Sequence, residues 1–270
     1  MQWVRGKCLG KGSYGSVFLA HPTTPDWPLL AVKSAYFRKS SSLMKERRIL
    51  LGLFGSEGIV KCYGSCLSLE FFTTVYNLLM EFAPGGCLLD LINKTYGGKI
   101  PEDDVRQYAR MILKGLSSIH KNGYVHCDLK PANILVFPSE QGLSQLKIAD
   151  FGLAKELGER DLGKPCSFRG TPLYMSPESV GISVIRPALD IWSLGCVVIE
   201  MITGNPPCKG LGMQGLLNRL VLESRSPDIP ENMSREGKDF LSKCFTRPYY
   251  QRWTADMLLN HPFIVGEKLT

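Results

Sequence analysis

From His126 to Leu135 the chain reads His-Cys-Asp-Leu-Lys-Pro-Ala-Asn-Ile-Leu, which sets a carboxylate (Asp128), an ammonium (Lys130) and a carboxamide (Asn133) within six positions. Moving a phosphoryl group from a nucleotide to a hydroxyl needs a carboxylate near the attacking oxygen, cations on the migrating charge and oxygen ligands for magnesium. The three side chains match those needs in that order. Pro131 and the apolar run at 134–136 predict a tight loop feeding a short buried strand, which would display the polar groups on a fixed turn. Taken alone, the same ten residues are equally an ordinary polar loop under a core strand, so other parts of the chain must decide.

Four further pieces bear on that chemistry. Residues 10–17 read Gly-Lys-Gly-Ser-Tyr-Gly-Ser-Val, a glycine spacing that dinucleotide-binding folds also use. Pro22 and Pro25 follow too closely for the long helix such a fold requires, so Gly10, Gly12 and Gly15 are expected in a β-hairpin turn whose backbone N–H groups can lie over phosphates. Lys33 ends the apolar strand Leu29-Leu30-Ala31-Val32 and Glu46 follows thirteen residues later in an amphipathic helical pattern. If that helix packs on the sheet, Glu46 can face Lys33; otherwise it is an exposed charge paired with a neighbour. Asp150-Phe151-Gly152 closes the alternating run 146–149 and offers a second carboxylate, although such a turn is also simply common.

The elements that must position these groups change character along the chain. Residues 75–83 read as a buried strand broken by Pro84-Gly85-Gly86, which predicts a lobe boundary there, with 1–83 as one lobe and 84–270 as the other. Backbone groups near Glu81 and Ala83 would be free to meet a planar base, with Leu9, Val17, Ala31 and Leu135 as apolar walls, or those four are plain core. Pro101 and three acids start a helix carrying Val105, Tyr108, Ile112, Leu116 and Ile119 on one face. The span 153–177 lacks periodicity and predicts a long mobile loop, of the kind that tends to be functional. Residues 190–201 are apolar nearly all round, as in a helix buried within a helical lobe. Ser234 and Thr254 are candidate helix caps, and His261-Pro262-Phe263 is expected to end the pattern.

Composition narrows the class. A chain of 270 residues with 44% hydrophobic content can bury a full core. No stretch is long and apolar enough to cross a bilayer, and the first seven residues lack the apolar core of a signal peptide, so a cytoplasmic location, with the nucleus as a second one, is expected. The nine cysteines include no C-x-x-C pair and read as reduced core thiols; Cys62 and Cys66, the close pair, have nothing nearby to complete a metal site. A balance of 32 basic against 25 acidic residues gives +7, without the aromatic interleaving of a nucleic-acid surface, and no nucleic-acid partner is expected.

In their order, these motifs resemble those of the eukaryotic protein kinases: the glycine loop ending in Val17, Ala31-Val32-Lys33, the His126-Cys127-Asp128 loop with Asn133, Asp150-Phe151-Gly152 and Ser176-Pro177-Glu178. The resemblance implies an α+β fold of two lobes, a small β-rich N-lobe with one main helix and a larger, mostly helical C-lobe, acting with ATP and Mg2+. It implies that Lys33, held by Glu46, binds the α and β phosphates, that Asp128 orients the hydroxyl, that Lys130 steadies the γ phosphate and that Asn133 and Asp150 ligate magnesium. It makes Met80 the gatekeeper, Glu81 and Ala83 the adenine contacts, Thr171 a partner of Asp128 and Lys130, Glu178 and Arg252 a buried ion pair, and Asp190 the brace of the catalytic loop.

Lys130 with Gly170-Thr171-Pro172-Leu173-Tyr174 is similar to serine/threonine kinases, and Trp3, the His-Cys-Asp loop and 192–201 are similar to MEKK-like MAP kinase kinase kinases, especially those of plants. A protein substrate, itself a MAP kinase kinase, is implied. Cys127 departs from the arginine that regulated kinases carry there, which removes the cation that would gather a phosphate on Ser167. The alternative is a nucleotide-binding pseudokinase or scaffold, against which Lys33, Glu46, Asp128, Asn133 and Asp150 are all present.

Overall fold

The computed structural model describes residues 2–12, 15–158, 170–181 and 185–266. Its first part is a five-stranded antiparallel sheet of β1 (Trp3–Gly12), β2 (Gly15–Pro22), β3 (Leu30–Tyr36), β4 (Cys62–Glu70) and β5 (Thr73–Glu81), in the order β1-β2-β3-β5-β4. The glycine-rich stretch is the expected hairpin, with Gly12 opposite Gly15. Gly15 is obligatory: its φ is +145°, and a Cβ there would lie 2.4 Å from the Ser34 carbonyl oxygen on β3.

Helix α1 (Ser41–Gly52) covers one face of the sheet, burying Leu43, Ile49 and Leu50 in the cluster that holds Tyr76, Leu78 and Met80. On the other face, Ala20, Leu30, Val32 and Leu79 pack with Trp3 and Cys66. Beside them the Arg5 guanidinium, 4.5 Å from the Phe18 ring, bonds both Glu70 oxygens and thereby ties β1 to β4, the two edges of the sheet. Strand β4 itself was not expected, because Cys62-Tyr63-Gly64-Ser65-Cys66 shows no alternation of apolar and polar residues; its pairing with β5 defines it.

The remaining residues are mostly helical. Short α2 (Leu88–Asp90) runs into a π-turn at Leu91–Thr95 and is followed by α3 (Glu102–Lys121), α4 (Pro177–Gly181), α5 (Ala188–Thr203), α6 (Met213–Leu217), α7 (Arg235–Cys244), α8 (Ala255–Leu259) and α9 (Pro262–Val265). All five apolar residues foreseen on α3 are buried, and α5 is buried at every position from Leu189 to Ile202. The Ser234 and Thr254 hydroxyls accept the N–H groups of Gly237 and Met257, so both cap helices as expected. The pattern does not end at His261: its Nδ1 accepts the Phe263 N–H and starts α9.

Between the sheet and the helices lie two small ribbons, β6 (Tyr124–Val125) with β9 (Lys155–Glu156) and β7 (Ile134–Phe137) with β8 (Gln145–Ile148). The span 153–177, read from sequence as one long loop, thus includes a paired strand and a 3-10 turn at Pro172–Tyr174; residues 159–169 lie outside the described ones. No helix of the described residues is long and apolar enough to cross a membrane.

Candidate active site

Lys33 sits on β3 opposite Leu78, with Val17 of β2 on its other side, so the sheet register fixes where its side chain emerges. Its ammonium donates to Glu46 Oε2 of α1 at 2.7 Å and to Asp150 Oδ1 at 2.8 Å. Glu46 is fully buried and its other oxygen accepts the Phe151 N–H at 3.2 Å. The amphipathic helix therefore does face Lys33, and Glu46 is not a surface charge.

Burial lowers the Lys33 affinity for its proton, but Glu46 and Asp150 outweigh that and hold its pKa above the ordinary lysine value. For Glu46 burial wins over the pull of Lys33 and pushes the carboxyl up. For Asp150 burial also pushes up, yet the Lys33 ammonium prevails and keeps the carboxyl below the usual range. Asp150 is left-handed at φ 61° and its side chain accepts the Gly152 N–H.

The loop after β6 is held from beneath. Asp190, at the start of α5, accepts the N–H groups of His126 and Cys127 at 2.8 and 2.9 Å and also bonds the His120 ring. Burial opposes ionisation of Asp190, but the contact with His120 outweighs it and lowers the pKa. The buried His126 ring donates from Nε2 to the Ala149 carbonyl, accepts the Asp128 N–H at Nδ1, and meets the Phe151 ring edge-on at 5.1 Å. The loop and the Asp150 turn are thereby locked to each other.

Four donors converge on the Asp128 carboxylate. The Thr171 N–H and hydroxyl reach Oδ1, each at 2.9 Å; Lys130 Nζ at 2.8 Å and Asn133 Nδ2 at 3.0 Å reach Oδ2. Lys130 also donates to the Thr171 hydroxyl at 2.7 Å. The close approach of the two segments depends on Gly170, which has φ +99° and whose Cβ would meet the Cys127 carbonyl at 2.7 Å. The Asn133 carbonyl accepts the Ala149 N–H, which seats Asn133 beside the turn that carries Asp150.

These two residues fit magnesium. Asn133 uses its amide nitrogen on Asp128, and no donor among the described residues reaches its side-chain oxygen or Asp150 Oδ2. Two hard oxygens are what a cation that retains water and phosphate ligands takes from a protein. Among the described residues there is no group of three or more His, Cys, Asp or Glu that could hold a metal ion.

At the other end of the cleft, Ala31 pairs with Met80, both buried, while Val17 and Leu135 are half-buried and Leu9, Gly10 and Gly12 are exposed along the hairpin. The Ala83 N–H has no acceptor among the described residues. Glu81 is the other residue expected to meet the base, and its N–H and carboxylate have partners of their own. Its N–H is taken by the Lys61 carbonyl and its carboxylate by Lys147 and the Lys61 N–H, so neither is free. Lys147 went unnoticed in the sequence because its partner lies 66 residues away. Ser167 lies outside the described residues.

Comparison with known proteins accords with this arrangement. The family model described as a protein kinase domain matches residues 3–264. The chain is 42% identical to mitogen-activated protein kinase kinase kinase 20 of Arabidopsis thaliana, over 98% of its own length and 78% of that protein's. It is 41% identical to mitogen-activated protein kinase kinase kinase 18 of the same plant, over 99% and 79%, and 33% identical to mitogen-activated protein kinase kinase kinase A of Dictyostelium discoideum, over 98% and 28%. Nothing in the site or in these relatives favours a scaffold without turnover. The chain belongs to the protein kinase family, and within it to the mitogen-activated protein kinase kinase kinases.

Proposed function

We propose that this serine/threonine protein kinase transfers the γ phosphate of ATP to a serine or threonine of a MAP kinase kinase, with Asp128 as the group that orients and deprotonates the hydroxyl. The support is the convergence of Lys130, Asn133 and Thr171 on one carboxylate, close in the fold to the Lys33, Glu46 and Asp150 set. The names of the plant relatives support the choice of substrate.

Each residue then has a task that its contacts allow. Two of the three Lys33 N–H donors are spent on carboxylates, which leaves one for the α and β phosphates. Asp128 has about four lone-pair positions and all are filled, so an incoming hydroxyl must displace a donor. The Thr171 hydroxyl is the cheapest to move, since it only needs to rotate while its N–H stays. Lys130, released from Asp128 on one side, can turn to the γ phosphate. The hydroxyl oxygen attacks phosphorus, its proton passes to Asp128, and the bond to the β–γ bridging oxygen breaks to leave ADP.

Magnesium held by Asn133 and Asp150 would supply the positive charge that the clustered phosphates need. The base would lie between Val17, Ala31, Leu135 and the gatekeeper Met80, with Leu9 and the glycine hairpin above it and Ala83 donating its N–H. The lobes divide near residue 83 in this reading, as 1–83 and 84–270. A cytoplasmic or nuclear setting belongs to it as well, because the described cysteines are all free, which suits a reducing compartment.

The test is phosphate transfer from labelled ATP to a panel of MAP kinase kinases, with mapping of the sites. Asp128→Asn is expected to lower kcat by about a thousandfold while nucleotide binding persists. Transfer by that variant at the parent's rate would remove Asp128 from the role of base.

A further inference from the structure

Residue 81 is held from three directions. Its N–H donates to the Lys61 carbonyl at 3.0 Å, its Oε1 accepts the Lys61 N–H at 2.6 Å, and its two carboxylate oxygens receive the Lys147 ammonium at 2.8 and 2.7 Å. The pair is sheltered, with 16% of the lysine and 11% of the glutamate side chain exposed, and the ammonium also lies 4.5 Å from the centre of the Phe137 ring. Exposed pairs contribute little to stability, but a sheltered pair gripping both oxygens is a mechanical constraint.

The position of Lys147 gives that constraint a direction. It lies on β8, three residues before Asp150. The next residue, Ile148, accepts the Val60 N–H at 3.0 Å and donates its own to the Gly58 carbonyl at 2.8 Å. One four-residue strand therefore grips the 58–61 connection, the end of β5 and, at its own end, the turn that carries Asp150.

We propose that Lys147 is a positioning residue of the nucleotide cleft: through Glu81 it holds the Ala83 N–H in register with Asp150, so that the adenine end and the metal end of one nucleotide are kept a set distance apart. The proposal rests on the reading of Ala83 as the adenine contact. Among the described residues the Lys147 ammonium hydrogen-bonds Glu81 alone, so its loss acts through the end of β5 rather than on the reacting atoms. A shift of about 1 Å at that end carries the Ala83 N–H out of hydrogen-bonding reach of the base. The loss falls on recognition of the base, because Lys33, Asp128 and Lys130 keep their own partners.

The full chain is assayed as wild type, Lys147→Met, Lys147→Arg and the exchange Glu81→Lys with Lys147→Glu. The readouts are KM for ATP, kcat at saturating ATP, and inhibition constants for adenosine and for magnesium tripolyphosphate. Lys147→Met is expected to raise KM and the adenosine constant about tenfold, with kcat within about twofold and the tripolyphosphate constant unchanged. The arginine variant is expected to recover most of the loss and carries the test if Lys147→Met does not fold; the exchange restores the ion pair but not the bond from the Lys61 N–H, so it is expected to recover only part. An unchanged adenosine constant in Lys147→Met, or an equal rise for adenosine and tripolyphosphate, overturns the proposal. Ala83→Pro, which deletes the N–H, separates the two failures. If it weakens adenosine while Lys147→Met does not, the adenine contact stands and the role of Lys147 falls. If Ala83→Pro leaves adenosine binding intact, the adenine contact falls and the proposal falls with it.

Discussion

Two buried ion pairs of this kinase obey the same electrostatics and serve opposite ends. Arg252 and Glu178 form a closed set: the guanidinium meets both carboxylate oxygens at 2.6 and 3.1 Å, gives its other bonds to the Thr246 and Ala188 carbonyls, and rests 5.0 Å from the centre of the Trp192 ring. One cation balances one anion. Around Lys33 the count does not close. Glu46, Asp150 and Asp128 are three carboxylates, and among the described residues Lys33 and Lys130 are the two ammonium groups seen bonded to them. The shortage of positive charge suits a divalent cation, and Glu46 and Asp150 answer it by shifting in opposite directions, one up through burial and the other down through Lys33. Burial alone therefore does not mark a functional ion pair; imbalance does.

The comparison is broken most directly by truncating the closed pair. Arg252→Leu strands a buried carboxylate with no replacement cation and is expected to destabilise the protein by about 3–5 kcal/mol. Denaturant unfolding measures this, and activity per folded molecule is expected to stay near that of the parent. A normally stable variant with lost activity would show that this pair is not closed.

Lys33→Met sharpens the other side. Activity is expected to fall by about a thousandfold, since a cation on the phosphates is lost. The stability effect depends on pH, because Glu46 loses its counter-charge and its pKa, already raised by burial, rises further. A carboxyl whose folded pKa lies above its unfolded value supports the fold fully below the unfolded value and loses that support as pH rises through the folded one. The deficit of Lys33→Met against the parent is therefore smallest near pH 4 and grows toward neutrality, and it shrinks in Lys33→Met with Glu46→Gln, where Asp150 alone is left without its cation. Thermal unfolding of the three proteins at pH 5 and pH 8 measures it. A deficit independent of pH would mean that Glu46 is not the group left behind.

What was legible in the sequence follows the range of the contacts. Asp128, Lys130 and Asn133 are within six residues of one another, and α1 and α3 declare themselves by periodicity, so local reading located them. The Lys33–Glu46 contact was reachable because strand and helix follow in sequence and one packs on the other. Thr171 and the Glu178–Arg252 pair were accessible only through the family resemblance, as no spacing connects residues 43 or 74 positions apart. The Glu81–Lys147 pair and the Arg5–Glu70 tie escaped because chain closure alone brings them together. Strand β4 escaped for another reason. It lies at an edge, and its first half, Cys62 to Cys66, shows no alternation, so its hydrogen bonding to β5 is what defines its full length.

The smallest expected effect lies far from both ion pairs, at the turn joining β4 to β5. Glu70 pairs with Thr73, so the loop consists of Phe71 and Phe72, with φ values of 45° and 60°. Two-residue hairpin loops that are left-handed at both positions favour Asn-Gly, whereas a bulky side chain there is strained. Both rings are essentially fully exposed, so they gain no burial in return. Replacing the pair by Asn-Gly relieves strain of about 1 kcal/mol or more per position, against an entropic cost of roughly 0.5–1 kcal/mol for the added glycine. A net gain of about 1 kcal/mol, or a rise of about 2–4 °C in Tm, is expected with kcat and KM unchanged. Such a variant would show that stability can move without touching either the closed set or the open one. A fall in Tm would instead mean that the two phenylalanines hold the turn in place, and that the strain at these backbone angles is smaller than the rings' own contribution.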